Sequence, residues 1–226
     1  NSILAAISVG IKFKKIINII HKIKNPLGRI DYIGNKYKTI VIDYAHTPDG
    51  LKKVLQSLLT HFNKKIILVF GCGGDRDRKK RLTMGRIANK YCNKVFITDD
   101  NPRYEDPHKI RFEIAKGCNK SKIISSREEA IKKAFKLLNK TNLLLITGKG
   151  HENYQIFKNI KKPFSDYKVV RSLLWIILIL KKWIILSFVL IAESLKDRIY
   201  FFVWKEKKLM VITCLLYTSD AADESC

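Results

Sequence analysis

The sequence has few cysteines, and none of them forms a CxxC pair. Its five cysteines are unevenly spaced along 226 residues, which argues against a zinc knuckle and against a disulfide framework. Unpaired cysteines of this kind are typical of a reducing compartment, so we expect a cytoplasmic protein. The cysteines are Cys72, Cys92, Cys118, Cys214 and Cys226.

Three further features are missing. The phosphate-binding pattern GxxxxGK[ST] does not occur, which limits any claim that this stretch hydrolyses ATP by itself. The opening NSILAAISVG has no initiating Met and no basic residue ahead of its apolar ones, so we expect a missing true start rather than a secretory signal. The apolar segment 173–192 is interrupted by Lys181 and Lys182, which cost about 2.5 to 3.5 kcal/mol each in a membrane, so no membrane span is expected.

The charge is strongly unbalanced, with 44 Lys and Arg against 20 Asp and Glu. A net charge of +24 raises nucleic acid or an anionic membrane as a partner. The excess is mostly Lys spread along the whole chain, and no basic motif interleaved with aromatic residues is present. We therefore favour solvated helix faces and expect no nucleic-acid partner, with a basic nucleic-acid-binding module kept as an alternative.

The chain divides by pattern into regions. Residues 11–23 have an apolar and basic helical pattern, followed by the breaker NPLGR, which indicates the end of a preceding domain (1–25) and a linker (26–38). The region 39–174 forms one domain, and 175–226 does not continue its pattern. Within that tail, 214–224 (CLLYTSDAADE) matches a translated sequencing-library adapter, so we expect a non-native tail.

Short apolar runs alternate with longer amphipathic ones from residue 39 onwards. The runs TIVIDY, KIILVFG, KVFITDD, KIISS and NLLLITG predict strands, and the segments 51–62, 80–92, 107–117 and 128–139 predict helices. Strands separated by helices predict right-handed crossovers, so the fold class is α/β: a Rossmann-like, mainly parallel sheet with helices on both faces. Ligands of such sheets bind at the carboxyl ends of the strands.

Two polar motifs follow the first two predicted strands. DYAHTPD offers an acid and an imidazole, Asp43 and His46, that could contact a nucleotide or a metal-bound water. The simpler interpretation is that Thr47 or Asp49 caps a helix and His46 only packs. GCGGDRDRKKR is a glycine-rich turn in which Arg76 could bind a carboxylate, although a solvated charged loop has the same composition.

Two more motifs follow later strands. DDNPR places Asn101 and Arg103 where both could bind one carboxylate, although Asn-Pro is also a common turn. GKGHENY joins a strand to a predicted helix and offers Glu152 to an ammonium group, or merely an acid in a first helical turn. Because all four loops should meet at one edge, acids beside cations indicate a site for a zwitterion.

These motifs together resemble one family. The order NSxxA, GR, VIDYAHTPD, VFGCGGDRDRKKR, MGRIA, TDDNPR, GKGHENYQ and FSD is similar to that of the Mur ligases, specifically the type that adds the third residue of the peptidoglycan stem peptide. The resemblance covers nearly everything from residue 1 to about 174. It implies that 1–25 is the tail of the central ATPase domain and that 39–174 is the Mur ligase C-terminal domain.

The resemblance also implies a reaction. Members of the family use ATP and Mg²⁺ to activate the terminal carboxylate of UDP-N-acetylmuramoyl-L-alanyl-D-glutamate as an acyl phosphate, which the amine of meso-diaminopimelate attacks. ATP and Mg²⁺ are bound largely by a central domain that this chain lacks, so we expect this fragment alone to be inactive, with no metal ligand and no assigned catalytic residue in it. Asp43 and His46 would lie near the nucleotide. The residues implied for meso-diaminopimelate are Arg76, Asp100, Asn101, Pro102, Arg103, Gly148 and Glu152.

Within that site the resemblance implies separate roles. Asn101 and Arg103 would bind a carboxylate, while Glu152 and the Gly148 carbonyl would bind an ammonium. Arg103 favours diaminopimelate over lysine, because lysine lacks the second carboxylate. Lys79 and Leu82 depart from the family, which usually has Gly and Pro there. A folylpolyglutamate-synthetase-like ligase shares the DxAHxP motif and remains an alternative, although GCGGDRD and DNPR argue against it.

Overall fold

The computed structural model describes residues 2–20, 22, 26–34 and 38–194. The chain divides into two compact units, residues 1–177 and 178–226, and the sheet lies in the first. The described part of the second unit, residues 178–194, is helical. The expected adapter-like segment, 214–224, lies outside the described residues.

The described residues form seven helices and eight strands. The helices are α1 (Ser2–Ser8), α2 (Phe13–Ile20), α3 (Pro48–Phe62), α4 (Lys79–Tyr91), α5 (Pro107–Ala115), α6 (Arg127–Lys136) and α7 (Asp166–Ser194). The strands are β1 (Asp31–Gly34), β2 (Thr39–Asp43), β3 (Lys65–Phe70), β4 (Lys94–Ile97), β5 (Ser121–Ile123), β6 (Asn142–Thr147), β7 (Tyr154–Phe157) and β8 (Ile160–Pro163).

Six strands form one sheet in the order β1-β2-β6-β3-β4-β5. All neighbours are parallel except β1, which pairs antiparallel with β2. Strand β6, the last of the parallel strands in sequence, lies between β2 and β3 and is buried along nearly its whole length. The predicted mainly parallel α/β sheet is confirmed.

The strands read as continuous apolar runs because both faces of the sheet are covered. Alternate residues of β2, β3 and β6 point to opposite sides, so each strand contributes to two separate cores. One core packs against α3, α4 and α5, and the other against α6 and the beginning of α7. The predicted helices on both faces are therefore confirmed.

Local sequence signals set where the helices begin. Thr47 is the N-cap of α3 and accepts a hydrogen bond from Gly50 N, with Pro48 in the first turn, as the capping interpretation predicts. Asp106 and Ser126 cap α5 and α6 in the same way. These caps place the turn before each helix at the carboxyl edge of the sheet.

The structure departs from prediction in three places. The expected linker contains β1, and the helical pattern over residues 11–23 is matched by α2 (Phe13–Ile20), whereas α1 (Ser2–Ser8) precedes that pattern and was not predicted. The predicted helix after GKGHENY is wrong, because Tyr154 begins the antiparallel hairpin β7–β8. No helix in the described part of the chain is long and apolar enough to cross a membrane.

Candidate functional site

The loops carrying the four motifs lie side by side at the carboxyl edge of the sheet. They follow β2, β3, β4 and β6, which are neighbours. Backbone hydrogen bonds join the loops directly: Gly74 N donates to Asn101 O at 2.9 Å, and Gly148 N donates to Asp43 O at 3.2 Å. The predicted convergence of the motifs is confirmed.

A buried lysine occupies the centre of this edge. Lys149 has no exposed surface, and its Nζ lies 3.0 Å from Asn101 Oδ1, 3.0 Å from Glu152 Oε2 and 3.3 Å from Asp100 Oδ1. One ammonium therefore joins the DDNPR loop to the GKGHE loop. It also offsets the charge of two carboxylates that are largely withdrawn from water.

The Asn101 side chain uses both ends of its amide. Its Nδ2 donates to Glu152 Oε2 at 3.0 Å, while its Oδ1 accepts from Lys149 Nζ and from Ile156 N, each at 3.0 Å. Gln155 reinforces this connection, because its Nε2 donates to the backbone carbonyls of Asp99 and Asp100. The hairpin thus holds the DDNPR loop in place.

Arg103 is held in an unusual backbone conformation. Its φ of +51° lies in the left-handed region, which costs energy for a residue with a side chain. The surrounding chain compensates: Arg103 N donates to Ile156 O at 3.0 Å, and Lys158 N donates to Arg103 O at 2.7 Å. The guanidinium Nη1 donates to Gly74 O at 2.7 Å, which directs the side chain towards the GCGGDRD loop.

Arg76 and Arg103 meet around Gly73. A Cβ added to Gly73 would lie 2.9 Å from Arg103 Nη1, 3.7 Å from Asn101 O and 3.9 Å from Arg76 Cγ. Arg76 itself is exposed and lines a cleft of about 490 Å³ together with His46. The loops that carry Arg76 and Arg103 therefore share one rim, and the Arg76 side chain lines the cleft that also contains His46.

A buried ion pair anchors the GCGGDRD loop. Both terminal nitrogens of Arg81 donate to Glu105, at 2.9 and 3.0 Å, and Glu105 Oε1 also accepts from Asp75 N at 2.6 Å. The hydrogen bonds from Arg81 lower the pKa of Glu105 to about 2, against the opposing effect of burial. Glu113 is the second acid on Arg81, at 2.8 Å. These buried contacts therefore stabilise the loop that carries Arg76.

Asp43 and His46 lie on the other side of the edge. The Asp43 carboxylate accepts from Ile30 N at 2.8 Å and from Ala45 N at 2.7 Å, so it shapes the turn after β2. His46 is exposed, and its Nδ1 lies 3.0 Å from Tyr44 O. Both residues line a cleft of about 410 Å³, and Asn101, Arg103 and Glu152 do not line it. The two sets of predicted residues therefore lie at adjacent sites.

Glu152 is the partly buried acid at this rim. Burial opposes its ionisation, but the hydrogen bonds from Asn101 and Lys149 outweigh that effect and lower its pKa. Its Oε2 accepts from both neighbours, and its Oε1 has no hydrogen-bond partner among the described residues. An ionised oxygen thus remains for a cationic ligand group.

The two remaining predicted residues act through their backbone positions. Gly148 has φ +109°, and a Cβ there would lie 3.5 Å from Asp100 Oδ2. The Pro102 carbonyl lies 1.9 Å from the position of a Cβ added to Gly74, so the two loops pack closely at this point. The proposed contact of the Gly148 carbonyl with an ammonium stays a prediction.

Three residues of this edge had no predicted role: Lys149, Gln155 and Arg127. Arg127, at the start of α6, pairs with Asp166 through two contacts of 2.8 Å, and both side chains are fully buried. Its Nη2 also donates to Thr147 O, while its buried Nη1 has no hydrogen-bond partner among the described residues. No local sequence signal identifies Lys149 or Arg127, because a lysine between two glycines and an arginine at the start of a helix are ordinarily exposed.

Known proteins share this domain. Residues 28–150 match the family described as Mur ligase, glutamate ligase domain. The UDP-N-acetylmuramoyl-L-alanyl-D-glutamate–2,6-diaminopimelate ligase of Rickettsia felis is 47% identical over 181 residues, covering 77% of this chain and 34% of that protein. The ligase of the same name from Wigglesworthia glossinidia brevipalpis is 43% identical over 178 residues, covering 77% and 36%.

A solved structure agrees with these relatives. A structure of a UDP-N-acetylmuramoyl-L-alanyl-D-glutamate–2,6-diaminopimelate ligase has 38% sequence identity and a TM-score of 0.61, covering 75% of this chain and 36% of that chain. The present chain therefore spans about a third of the length of the curated relatives it matches.

Proposed function

This chain belongs to the Mur ligase family, and from that premise we propose that its first unit is the amino-acid-binding domain of an ATP-dependent ligase. The ligase would add meso-diaminopimelate to UDP-N-acetylmuramoyl-L-alanyl-D-glutamate in peptidoglycan synthesis. The names of the relatives support the substrates, and the family supports the use of ATP. The buried thiols of the described cysteines and the need for ATP support a cytoplasmic reaction.

One observation carries this proposal: Asn101 contacts both the ionised acid Glu152 and Gly74, whose carbonyl accepts a hydrogen bond from the Arg103 guanidinium. Glu152 Oε1 is available to an ammonium, and only Nη1 of Arg103 is engaged in the described part of the chain. meso-Diaminopimelate carries an ammonium and a carboxylate on the same carbon at each end. Charge-assisted hydrogen bonds to such a pair contribute about 1.5 to 3 kcal/mol each. The site would thereby select a doubly ionic end group.

Binding at this rim would serve the reaction through position. In the proposed reaction the other amine of the amino acid attacks an acyl phosphate, and a fixed orientation of that amine accounts for much of the acceleration. Arg103, Asn101 and Glu152 would hold the end of the amino acid that does not react. The acyl phosphate and the UDP-linked substrate would be bound by other parts of the ligase, so we propose that this chain alone does not turn over.

The adjacent cleft is the proposed nucleotide side. It is lined by Arg29, Tyr44 and His46 among others, and Arg29 lies over the Tyr44 ring at 5.2 Å, so it offers a cation and flat ring surfaces to a nucleotide. Among the described residues no group of three or more acids, histidines or cysteines could hold a metal ion.

The test compares two amino acids by isothermal titration calorimetry. meso-Diaminopimelate should bind the chain more tightly than L-lysine, which lacks the second carboxylate. Replacing Arg103→Ala should weaken meso-diaminopimelate binding at least tenfold, because one charge-assisted contact is worth about that much. Arg86→Ala, at an exposed position of α4, is the matched control and should leave binding unchanged.

Two outcomes would contradict the proposal. The first is no binding of meso-diaminopimelate to the folded chain. The second is an unchanged affinity in the Arg103 variant, which would remove that residue from the site. Retention of nucleic acid in a filter-binding assay at moderate salt would instead favour the basic binding module, for which a steep salt dependence is expected.

A further inference from the structure

Lys149 is the most deeply buried cation at the proposed amino-acid site, and it faces two acids. Its Nζ contacts Asp100, Asn101 and Glu152 at once, within 3.0 to 3.3 Å. Removing an ammonium from water costs several kcal/mol, so this burial is tolerated only because the acids compensate it. The same contacts constrain the acids in return, since each must keep an oxygen directed at Nζ.

The two carboxylate oxygens of Glu152 differ in their contacts. Its Oε2 accepts from Lys149 and Asn101, while Oε1 is without a partner among the described residues. The amide of Asn101 is also oriented, because its Oδ1 accepts from Lys149 and Ile156 N and its Nδ2 must then point towards Glu152. Lys149 therefore determines how both neighbouring side chains are presented.

The charges beneath the rim are nearly balanced. Lys149 and Arg127 carry two positive charges, and Asp100, Glu152 and Asp166 carry three negative ones. The difference is one negative charge, which is the charge that a single bound ammonium would neutralise. Without Lys149 the difference would be two, and Glu152 would lose one of the hydrogen bonds that lower its pKa.

We infer that Lys149 is a positioning residue for the proposed amino-acid site: it holds Asn101 and Glu152 so that one Glu152 oxygen receives the ammonium of the bound amino acid. This inference rests on the proposed function. It assigns to Lys149 no contact with the ligand and no part in proton transfer.

The test separates the ammonium contact from the carboxylate contact. The probes are meso-diaminopimelate and pimelate, which keeps both carboxylates and lacks both ammonium groups. The unmodified chain should prefer meso-diaminopimelate at least tenfold, from one charge-assisted contact. In Lys149→Met and Lys149→Gln that preference should fall to within about threefold, while pimelate affinity is retained. Lys168→Met, an exposed lysine of α7, is the matched control and should keep the full preference.

The outcomes distinguish the inference from the function on which it rests. If the unmodified chain does not bind meso-diaminopimelate, the proposed function fails. If the unmodified chain shows the preference and both folded Lys149 variants keep it, the positioning role is refuted. If neither variant folds, the ¹⁵N resonance of the Lys149 ammonium decides: it should shift with meso-diaminopimelate and not with pimelate, and no difference between the two would refute the role.

Discussion

The buried pair of Arg127 and Asp166 offers a sharp test of how this edge is stabilised. The pair joins the first turn of α6 to the first turn of α7, and Arg127 also binds the carbonyl of Thr147 at 3.0 Å, at the end of β6. Both side chains are fully buried. Arg127→Met would leave the Asp166 carboxylate without its cation, and the expected loss is about 3 to 5 kcal/mol of unfolding free energy.

The double variant Arg127→Met with Asp166→Leu should behave differently. Replacing a whole buried pair by apolar side chains is often neutral, because both desolvation costs disappear with the attraction. One buried acceptor, the Thr147 carbonyl, still loses a donor, so we expect a residual loss of about 1 to 2 kcal/mol. The double variant should therefore be more stable than Arg127→Met alone.

Urea unfolding followed by circular dichroism would measure these differences. The control is Lys53→Met, which removes an ion pair with Asp49 whose side chains are 73% and 72% exposed; it should change stability by no more than about 0.5 kcal/mol. The reasoning is refuted if Arg127→Met costs less than about 1 kcal/mol, or if the double variant is as unstable as that single variant.

Two further predictions concern the GCGGDRD loop. Because Arg81 holds the pKa of Glu105 near 2, below its ordinary 4.5, Glu105 contributes stability that is fully present above about pH 4.5 and is lost as pH falls towards 2. Glu105→Gln should remove this contribution to the pH dependence of stability, measured as the urea unfolding midpoint between pH 2.5 and 6. An unchanged pH dependence in the variant would contradict the role of Glu105. Gly74→Ala should cost about 1 to 3 kcal/mol and weaken meso-diaminopimelate binding, because its Cβ would lie 1.9 Å from the Pro102 carbonyl oxygen. Gly50→Ala, whose Cβ would lie 3.0 Å from the Thr47 hydroxyl and in ordinary contact with Ala45, should be neutral or stabilising, and equal losses in the two variants would count against this explanation.

The sheet was predictable because its strands are buried on both faces. β2, β3 and β6 each give an unbroken apolar run, and a helix separates β2 from β3 and β3 from β4. β1 was missed because four residues with alternating burial look like any partly exposed segment. The hairpin β7–β8 was missed because it stands outside the main sheet and leaves no apolar run.

The candidate site was predictable only as a set of neighbouring loops. The order of motifs along strands of one parallel sheet was enough to place Arg76, Asn101, Arg103 and Glu152 at one edge. The domain boundaries and the assignment of individual roles remain predictions. The individual side-chain contacts were not predictable, because they depend on which side chains the fold buries.

Lys149 illustrates why those contacts require the fold. In sequence it stands between two glycines in GKGHE, where an exposed lysine is the ordinary expectation. Gly148 and Gly150 both have φ in the left-handed region, and the chain turns sharply enough there to direct the intervening side chain inward. The burial of this ammonium is tolerated because two acids at other positions compensate its charge. They are Asp100 from the loop after β4 and Glu152 from the next turn. The inward lysine is thus a property of three positions together, and no local pattern contains it.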